Sequence, residues 1–456
     1  MLRSHIGKHN EPVNGLSPTT VPSLVARWYV LIVMCLIYAS NIADRYVVST
    51  VLEPIRLELH LNDAGVSLLT GVPLALFYST FGLLIAYVAD RANRRNIVAA
   101  SLLAWSAFTV TCGLATRYWH ILVSRIGVGV GEAGGTPTSS SIIADYFPAS
   151  RRPAAFAVFA LGAPIGAYVG ADIAALAANT YGWRAAFLVL GVPGVVLGLL
   201  VLFTIREPVR GRLDAGVHND PAVFMDSVRI MWRQRSVFHV IMASGVSSFW
   251  GWGLMWFIPT YLIRAYGLDV AQAGAIIGPI HIFGGSLATV LTAWLFGTTA
   301  MRDPRRVLAV LALGVGLGTI PSIVAIYTHD LRLVRFALWL FIPTIYFFIG
   351  PCMGLLQNVV PAPMRAMVFA WSGLVGNVFN LVVAPQGVGF LSDWFAGARG
   401  PDAESLRDAL LVLAPTGFWA IYHYVAAMRT IVADQARVDT YRDLRFAPSP
   451  VATANP

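Results

Sequence analysis

The sequence predicts an all-α integral membrane protein: twelve transmembrane helices arranged as two pseudo-symmetric six-helix bundles. Three observations predict it. Only 12% of the 456 residues are charged and 57% are hydrophobic, where a soluble domain carries roughly a quarter charged residues. Apolar runs of the ~20 residues needed to cross a bilayer recur from end to end. One long polar loop divides these runs six and six.

The first segment, 1–26, is a polar tail rich in Gly, Asn, Ser and Pro, with no cleavable signal peptide. Spans 1 to 6 are expected at 28–52, 65–88, 96–116, 119–146, 153–178 and 183–204, within an N-terminal bundle of residues 27–204. The linker is 205–235; in it Val223, Phe224, Val228, Met231 and Trp232 share one helical face, which suggests a short amphipathic helix on the membrane surface or a plain linker. Spans 7 to 12 are expected at 236–263, 271–296, 304–327, 336–360, 366–391 and 407–430, within a C-terminal bundle of residues 236–430. Residues 431–456 form a second tail. Runs of this length exclude barrel strands, and helices satisfy their own backbone in lipid.

The net charge is +9, and Lys8 is the single lysine. In a soluble chain such a balance suggests a nucleic-acid partner. Here the arginines crowd alternate loops: Arg91, Arg94 and Arg95 after span 2, Arg151 and Arg152 after span 4, six from Arg206 to Arg235, then Arg302, Arg305 and Arg306. That alternation is a topology signal. It places both termini in the cytoplasm and the chain in the cell (inner) membrane, with membrane lipids and no nucleic acid as its neighbours. Cys35, Cys112 and Cys352 all lie in apolar runs, so no disulfide framework is expected.

Charge inside a span is costly and is read first as functional. Span 1 carries Asp44 and Arg45; span 4 carries Arg125 and Glu132. Seven residues apart, Arg125 and Glu132 share a helix face. If spans 1 and 4 are neighbours, Asp44 can pair with Arg125 and Arg45 can reach Glu132. A carboxylate in an apolar site keeps its proton, and an approaching arginine favours release. The pattern therefore suggests proton coupling, with Glu132 the first choice as carrier for its depth among glycines and Asp44 the second. A static ion pair that only fixes packing is the competing reading. Asp90, Arg91 and Arg94, with Asp145 and Arg151 at the end of span 4, could form a cytoplasmic gate or be ordinary loop charge. His281 in span 8 is either a buried hydrogen-bonded residue or a relay. Tyr46, Tyr78, Asn377 and Asn380 complete the cavity candidates.

No phosphate-binding glycine loop with its lysine, no His-Glu-x-x-His and no nucleophile elbow is present. An enzyme, an ATP-driven pump, a metal site and a bound cofactor are not expected; the coupling ion would be the proton. Two six-span halves suggest a carrier with its site between them near the midplane.

The turn Asp90-Arg91…Arg94-Arg95, Arg125 with the glycines that follow, and the Gly/Pro repeat of span 5 resemble the signatures of the major facilitator superfamily. Ala86 stands where that superfamily usually has Gly, and the matching turn of the second half, Gly297 to Arg306, is degenerate. Asn41-Ile-Ala-Asp44-Arg45-Tyr46, Gly129-Val-Gly131-Glu132-Ala133, Pro363-Met-Arg365-Ala366 and Pro385-Gln-Gly-Val-Gly389 more narrowly resemble the Spinster family. The resemblance implies a monomeric, proton-coupled, alternating-access carrier of a lysophospholipid or sphingoid-type amphiphile, with Asp44 and Glu132 as coupling residues. The span 1 motif and Gly-Glu-Ala also look like organic-anion symporters. A symporter of a small organic anion and a multidrug-type exporter therefore stand as alternatives, the former with Arg45 and Arg125 binding substrate.

Overall fold

A computed structural model describes residues 23–71, 75, 77, 80–82, 85, 88, 92–148, 151–208, 232–298, 303–360 and 365–437. Those residues are helical and turn structure throughout. Ten of the helices are long and apolar enough to cross a membrane. The span expected at 119–146 is also present, as Tyr118–Glu132 and Gly135–Tyr146. Parts of the span expected at 65–88, Tyr78 among them, lie outside the described residues, as do Asp90, Arg91 and all but Trp232 of the apolar face suggested for the linker helix.

Local chemistry sets the helix ends. Span 1, Leu24–Thr50, starts where the Ser23 side chain accepts from Ala26 N at 3.2 Å. Asn93 caps span 3, Arg94–Gly113, through Asn96 N at 3.1 Å. Asp303 caps span 9, Pro304–Tyr327, and Asp402 with Ser405 forms a capping box on span 12.

Proline and glycine decide where spans break. Span 4 is interrupted four residues before Pro137, whose missing N–H leaves the Ala133 carbonyl without its helical donor. Span 7 breaks after Met255, again four residues before a proline, Pro259. Spans 5, 8 and 11 each contain a π-helical turn, at Val169–Ile173, Ile280–Gly285 and Val378–Val383. Such turns concentrate at functional sites.

Span 1 packs on span 5 at backbone distance: a Cβ on Gly170 would lie 2.5 Å from the Ala43 carbonyl oxygen. Spans 3 and 4 approach as closely, for a Cβ on Gly131 would lie 2.6 Å from Trp105 N. The two halves meet along spans 5 and 8, along spans 2 and 11, and where the Ser49 hydroxyl of span 1 lies 2.9 Å and 2.8 Å from the carbonyls of Met255 and Trp256 of span 7. With an even number of spans the termini share one end of the bundle. The opposite, terminus-free end holds the turn between spans 1 and 2 and the ends of spans 7 and 11.

Candidate functional site

Four charges converge within the N-terminal half. Arg45 donates from Nε and Nη2 to Glu132 Oε2 at 3.0 Å and 2.8 Å. Arg125 reaches the backbone carbonyl of Asp44 at 3.4 Å, and its Nη1 stands 4.0 Å from Asp44 Oδ1. Arg125 and Glu132 have no exposure and Asp44 is 2% exposed. Spans 1 and 4 thus bring together the four residues that the sequence singled out, in the pairing that helix spacing suggests.

The two pairs are not equivalent. Arg45–Glu132 is a tight, forked contact. Asp44 is held instead by Thr109 of span 3, whose hydroxyl lies 2.8 Å and 2.7 Å from its two carboxyl oxygens and 3.0 Å from the Trp105 carbonyl. A hydroxyl donates one hydrogen. Three acceptors face it. Two arrangements satisfy that hydrogen: Thr109 donates to an ionised Asp44, or it donates to Trp105, as threonines within helices do to the preceding turn, and a protonated Asp44 donates to Thr109.

Around these pairs several buried polar atoms have no hydrogen-bond partner among the described residues: Asn41 Nδ2, Trp105 Nε1, Ser106 Oγ, Arg125 Nε and Nη2, and Glu132 Oε1. Buried polar groups are normally satisfied. A cluster of unsatisfied ones, rich in donors and holding one carboxylate oxygen, is suited to water and to proton exchange.

Across the interface Tyr46 stands edge-on to His281, ring centroids 4.9 Å apart. His281, fully buried on the π-helical turn of span 8, shares a 2.8 Å hydrogen bond between Nδ1 and the Tyr346 hydroxyl. Its Nε2 has no partner. Tyr346 comes from the 3₁₀ turn Ile342–Tyr346 of span 10. Asn380 accepts from Trp256 Nε1 at 3.0 Å and Asn377 is half-buried one turn earlier.

A cavity of 760 Å³ lies between spans 5, 8 and 10, toward the terminus-bearing end. Its walls are mainly apolar: Phe156, Ala160, Ala163, Ala293, Phe296 and Ile349. Thr289, Thr292, Asn358, Gln435 and the inner tyrosines Tyr38 and Tyr346 are its polar members. The cavity candidates Tyr46, His281, Asn377 and Asn380 do not line it; Tyr46 and His281 sit behind Tyr346. Tyr346 and Thr109 escaped the sequence reading, since a hydroxyl in an apolar span carries no charge signal. Asp172 escaped it too. That carboxylate sits half-buried on the π-helical turn of span 5, its Cβ 2.5 Å from where a Cβ on Gly278 of span 8 would lie.

At the terminus-bearing end Arg94 pairs with Asp145 at 2.6 Å and with Glu207 at 2.8 Å, and donates to Ser141 at 2.8 Å. These contacts tie the start of span 3 to the end of span 4 and to the start of the linker; of the other residues expected in a cytoplasmic gate, Asp90 and Arg91 lie outside the described residues. Arg151 is exposed. Among the described residues no group of three or more His, Cys, Asp or Glu is placed to hold a metal.

Comparison with known proteins follows the same lines. The family model described as Major Facilitator Superfamily matches residues 34–384. An MFS-type efflux pump of Mycolicibacterium smegmatis is 30% identical over 88% of this chain and 93% of its own. The sphingosine-1-phosphate transporter SPNS2 of Danio rerio is 27% identical over 77% of this chain and 73% of its own. The crystal structure of a bacterial homolog to the human lysosomal transporter Spinster, in an inward-facing and unoccupied conformation, superposes with a TM-score of 0.78 at 26% identity. That superposition covers 91% of this chain and 99% of the other.

Proposed function

The chain belongs to the Major Facilitator Superfamily, within which it is Spinster-like and a multi-pass membrane transporter, and from that premise we propose that it carries a single-chain amphipathic lipid, of lysophospholipid or sphingoid type, by proton-coupled alternating access. Asp44 is the proton carrier of the state described. The observation that supports this most directly is a buried Asp44 whose side chain is hydrogen-bonded by the Thr109 hydroxyl while the Arg125 guanidinium stands 4.0 Å away, an arrangement that accommodates a protonated carboxyl. Glu132 already has the Arg45 fork and acts as the second member, exchanging partners as the halves move.

The coupling step follows from that geometry. Arg125 stands at 4.0 Å, too far to hydrogen-bond the carboxylate. If the alternate state brings its guanidinium into contact, Asp44 loses its proton there. Proton binding then favours the present state over the other one. Each unit of pKa difference between two states biases them about tenfold, or about 1.4 kcal/mol.

The apolar cavity supports the substrate class. A lipid tail taken from the bilayer gains little on entering an apolar wall, because lipid is already apolar. Selection therefore rests on the polar end of the ligand, which would meet Tyr346, Tyr38 and the threonines of span 8. The relative named as a sphingosine-1-phosphate transporter agrees with a lipid. With both termini cytoplasmic, the cavity faces inward. The organic-anion alternative is weaker, since the Arg45 guanidinium is engaged by Glu132 rather than free for substrate.

The test is uptake of a labelled lysophospholipid by purified protein in liposomes, with and without an imposed pH gradient, alongside Asp44→Asn and Glu132→Gln. Gradient-driven uptake that both variants lose, with the fold intact, is the expected result. Gradient-driven uptake by wild type that persists in Asp44→Asn removes this residue from coupling. Folded protein that moves no lysolipid under any gradient overturns the lipid assignment.

A further inference from the structure

One acid inside a span has no part in the coupling site. Asp172 lies in span 5, nine residues before the span ends at Tyr181, or about 14 Å by helix rise. That is about half of a ~30 Å hydrocarbon layer. Asp44, Arg45, Arg125 and Glu132 face one another as acids and arginines. Asp172 has no such partner: among the described residues no positively charged side chain acts on it, and the polar group beside it is the Tyr168 hydroxyl, one turn earlier on the same helix.

The local backbone sets where this carboxyl stands. Val169–Ile173 is the π-helical turn of span 5, and its wider turn shifts the register of the side chains that follow. Gly170 on that turn meets span 1, while Asp172 lies against span 8. There Gly278 leaves the room: a Cβ on it would lie 2.5 Å from Asp172 Cβ, 3.2 Å from the Asp172 carboxyl carbon and 3.1 Å from Tyr168 Cδ2. Asp172 is half-buried, and the exposed side chains near it on both spans, Ile173, Leu176, Ala275 and Phe283, are apolar. An exposed apolar face on a membrane-spanning helix meets lipid. The carboxyl therefore sits at the bilayer side of the seam between the halves. The apolar cavity opens along the same two spans nearer the terminus-bearing end, where its span 5 wall stops at Ala163.

We propose that Asp172, with Tyr168, is a binding site for the ammonium group of a single-chain amphiphilic amine dissolved in the bilayer. The inference rests on the lipid-carrier reading and names a head-group preference within its substrate class. An ionised carboxylate alone at this depth is costly, and a proton or a cation removes the cost. A primary ammonium does more than neutralise. It carries three donors, enough for both carboxylate oxygens and the Tyr168 hydroxyl, in charge-assisted hydrogen bonds. Its alkyl chain lies meanwhile on the apolar surface of spans 5 and 8. Little water screens the pair there, so the attraction is stronger than at an aqueous surface. An alcohol of the same length brings no charge, and a fatty acid brings a like charge to the carboxylate.

The test uses the full chain in neutral detergent micelles at about pH 7, where an alkylamine is charged. Dodecylamine, dodecanol, dodecanoate and a lysophosphatidate are the probes. Thermal unfolding is followed against probe concentration, because a ligand that binds the folded protein raises the transition. The readout is the ratio of amine to alcohol affinity, which a general loss of lipid binding does not move. The expected result is dodecylamine binding about tenfold tighter than dodecanol, the contribution of one charge-assisted hydrogen-bonded pair, with dodecanoate the weakest of the three. Asp172→Asn brings the amine to the level of the alcohol, Asp172→Glu keeps the preference, and Tyr168→Phe lowers it in part. Amine and alcohol bound equally by the wild-type protein overturn the site, whether or not the variants fold. An amine preference that persists in folded Asp172→Asn overturns it as well. Stabilisation by none of the four probes, in protein that unfolds cooperatively, overturns the lipid-carrier reading and the amine site with it.

Discussion

At Thr109 a single hydroxyl hydrogen faces three acceptors, and this small count separates two carboxylates that a charge inventory leaves equal. Asp44 and Glu132 are both buried acids with an arginine at hand. One is forked by Arg45; the other touches only a hydroxyl and stands 4.0 Å from its arginine. The first prediction belongs here. Asp44→Asn keeps the Thr109 contact and removes the titration, so gradient-driven uptake is lost while the melting temperature stays within a few degrees of wild type; a retained pH response counts against it. A second concerns the partner: Thr109→Val cuts gradient-driven uptake about tenfold, the loss of about 1.4 kcal/mol of positioning, and Thr109→Ser restores it. Equal uptake in the valine and wild-type proteins leaves Thr109 a packing residue.

Helices that carry such groups are broken at defined places. Span 4 stops at Glu132 and restarts at Gly135 because Pro137 gives the Ala133 carbonyl no donor. The break lies just past the glutamate, so the segment bearing Arg125 and Glu132 can tilt apart from the segment bearing Asp145. Pro137→Ala supplies the missing N–H. It is expected to slow uptake severalfold without lowering the melting temperature, as read by parallel uptake and thermal unfolding; an unchanged rate places the flexible point elsewhere. Spans 1 and 5 tell the opposite story, of contact that admits no side chain. A leucine at Gly170 meets the Ala43 carbonyl, and such overpacking costs about 1–3 kcal/mol. Thermal unfolding of Gly170→Leu is therefore expected several degrees below wild type. An unaltered transition shows that the span 1–5 contact yields easily.

For the whole molecule, polar contacts between the halves gather at the terminus-free end, and the apolar cavity lies toward the other. The prediction at this scale is that Arg264→Gln, which takes a buried partner from Glu53 and Asp63, unfolds several degrees below wild type in a thermal scan, and an unchanged transition shows that this contact does not hold the halves together. Among the described residues, Arg94 at the terminus-bearing end joins span 3 to the end of span 4 and the start of the linker. The charges at the terminus-free end hold the two halves to each other.

Most of the helical frame was legible in the sequence, because a bilayer permits little else: long apolar runs must be helices, and prolines and caps mark their breaks and ends. The four central charges were legible for the same reason, as a charge in lipid stands out. Seven-residue spacing put Arg125 and Glu132 on one face. What only the tertiary structure decided was which partners these groups have. Arg264, Glu53 and Asp63 look like ordinary loop and helix-end charge along the chain, 201 residues apart between Asp63 and Arg264, and become one buried cluster when two halves close over them. Thr109 and Tyr346 carry no charge to flag them. Arg94 and Asp145 stand at helix ends along the chain, and only the fold shows that they pair with each other. Sequence spacing governs what shares a helix face; the packing of one helix on another governs which faces meet.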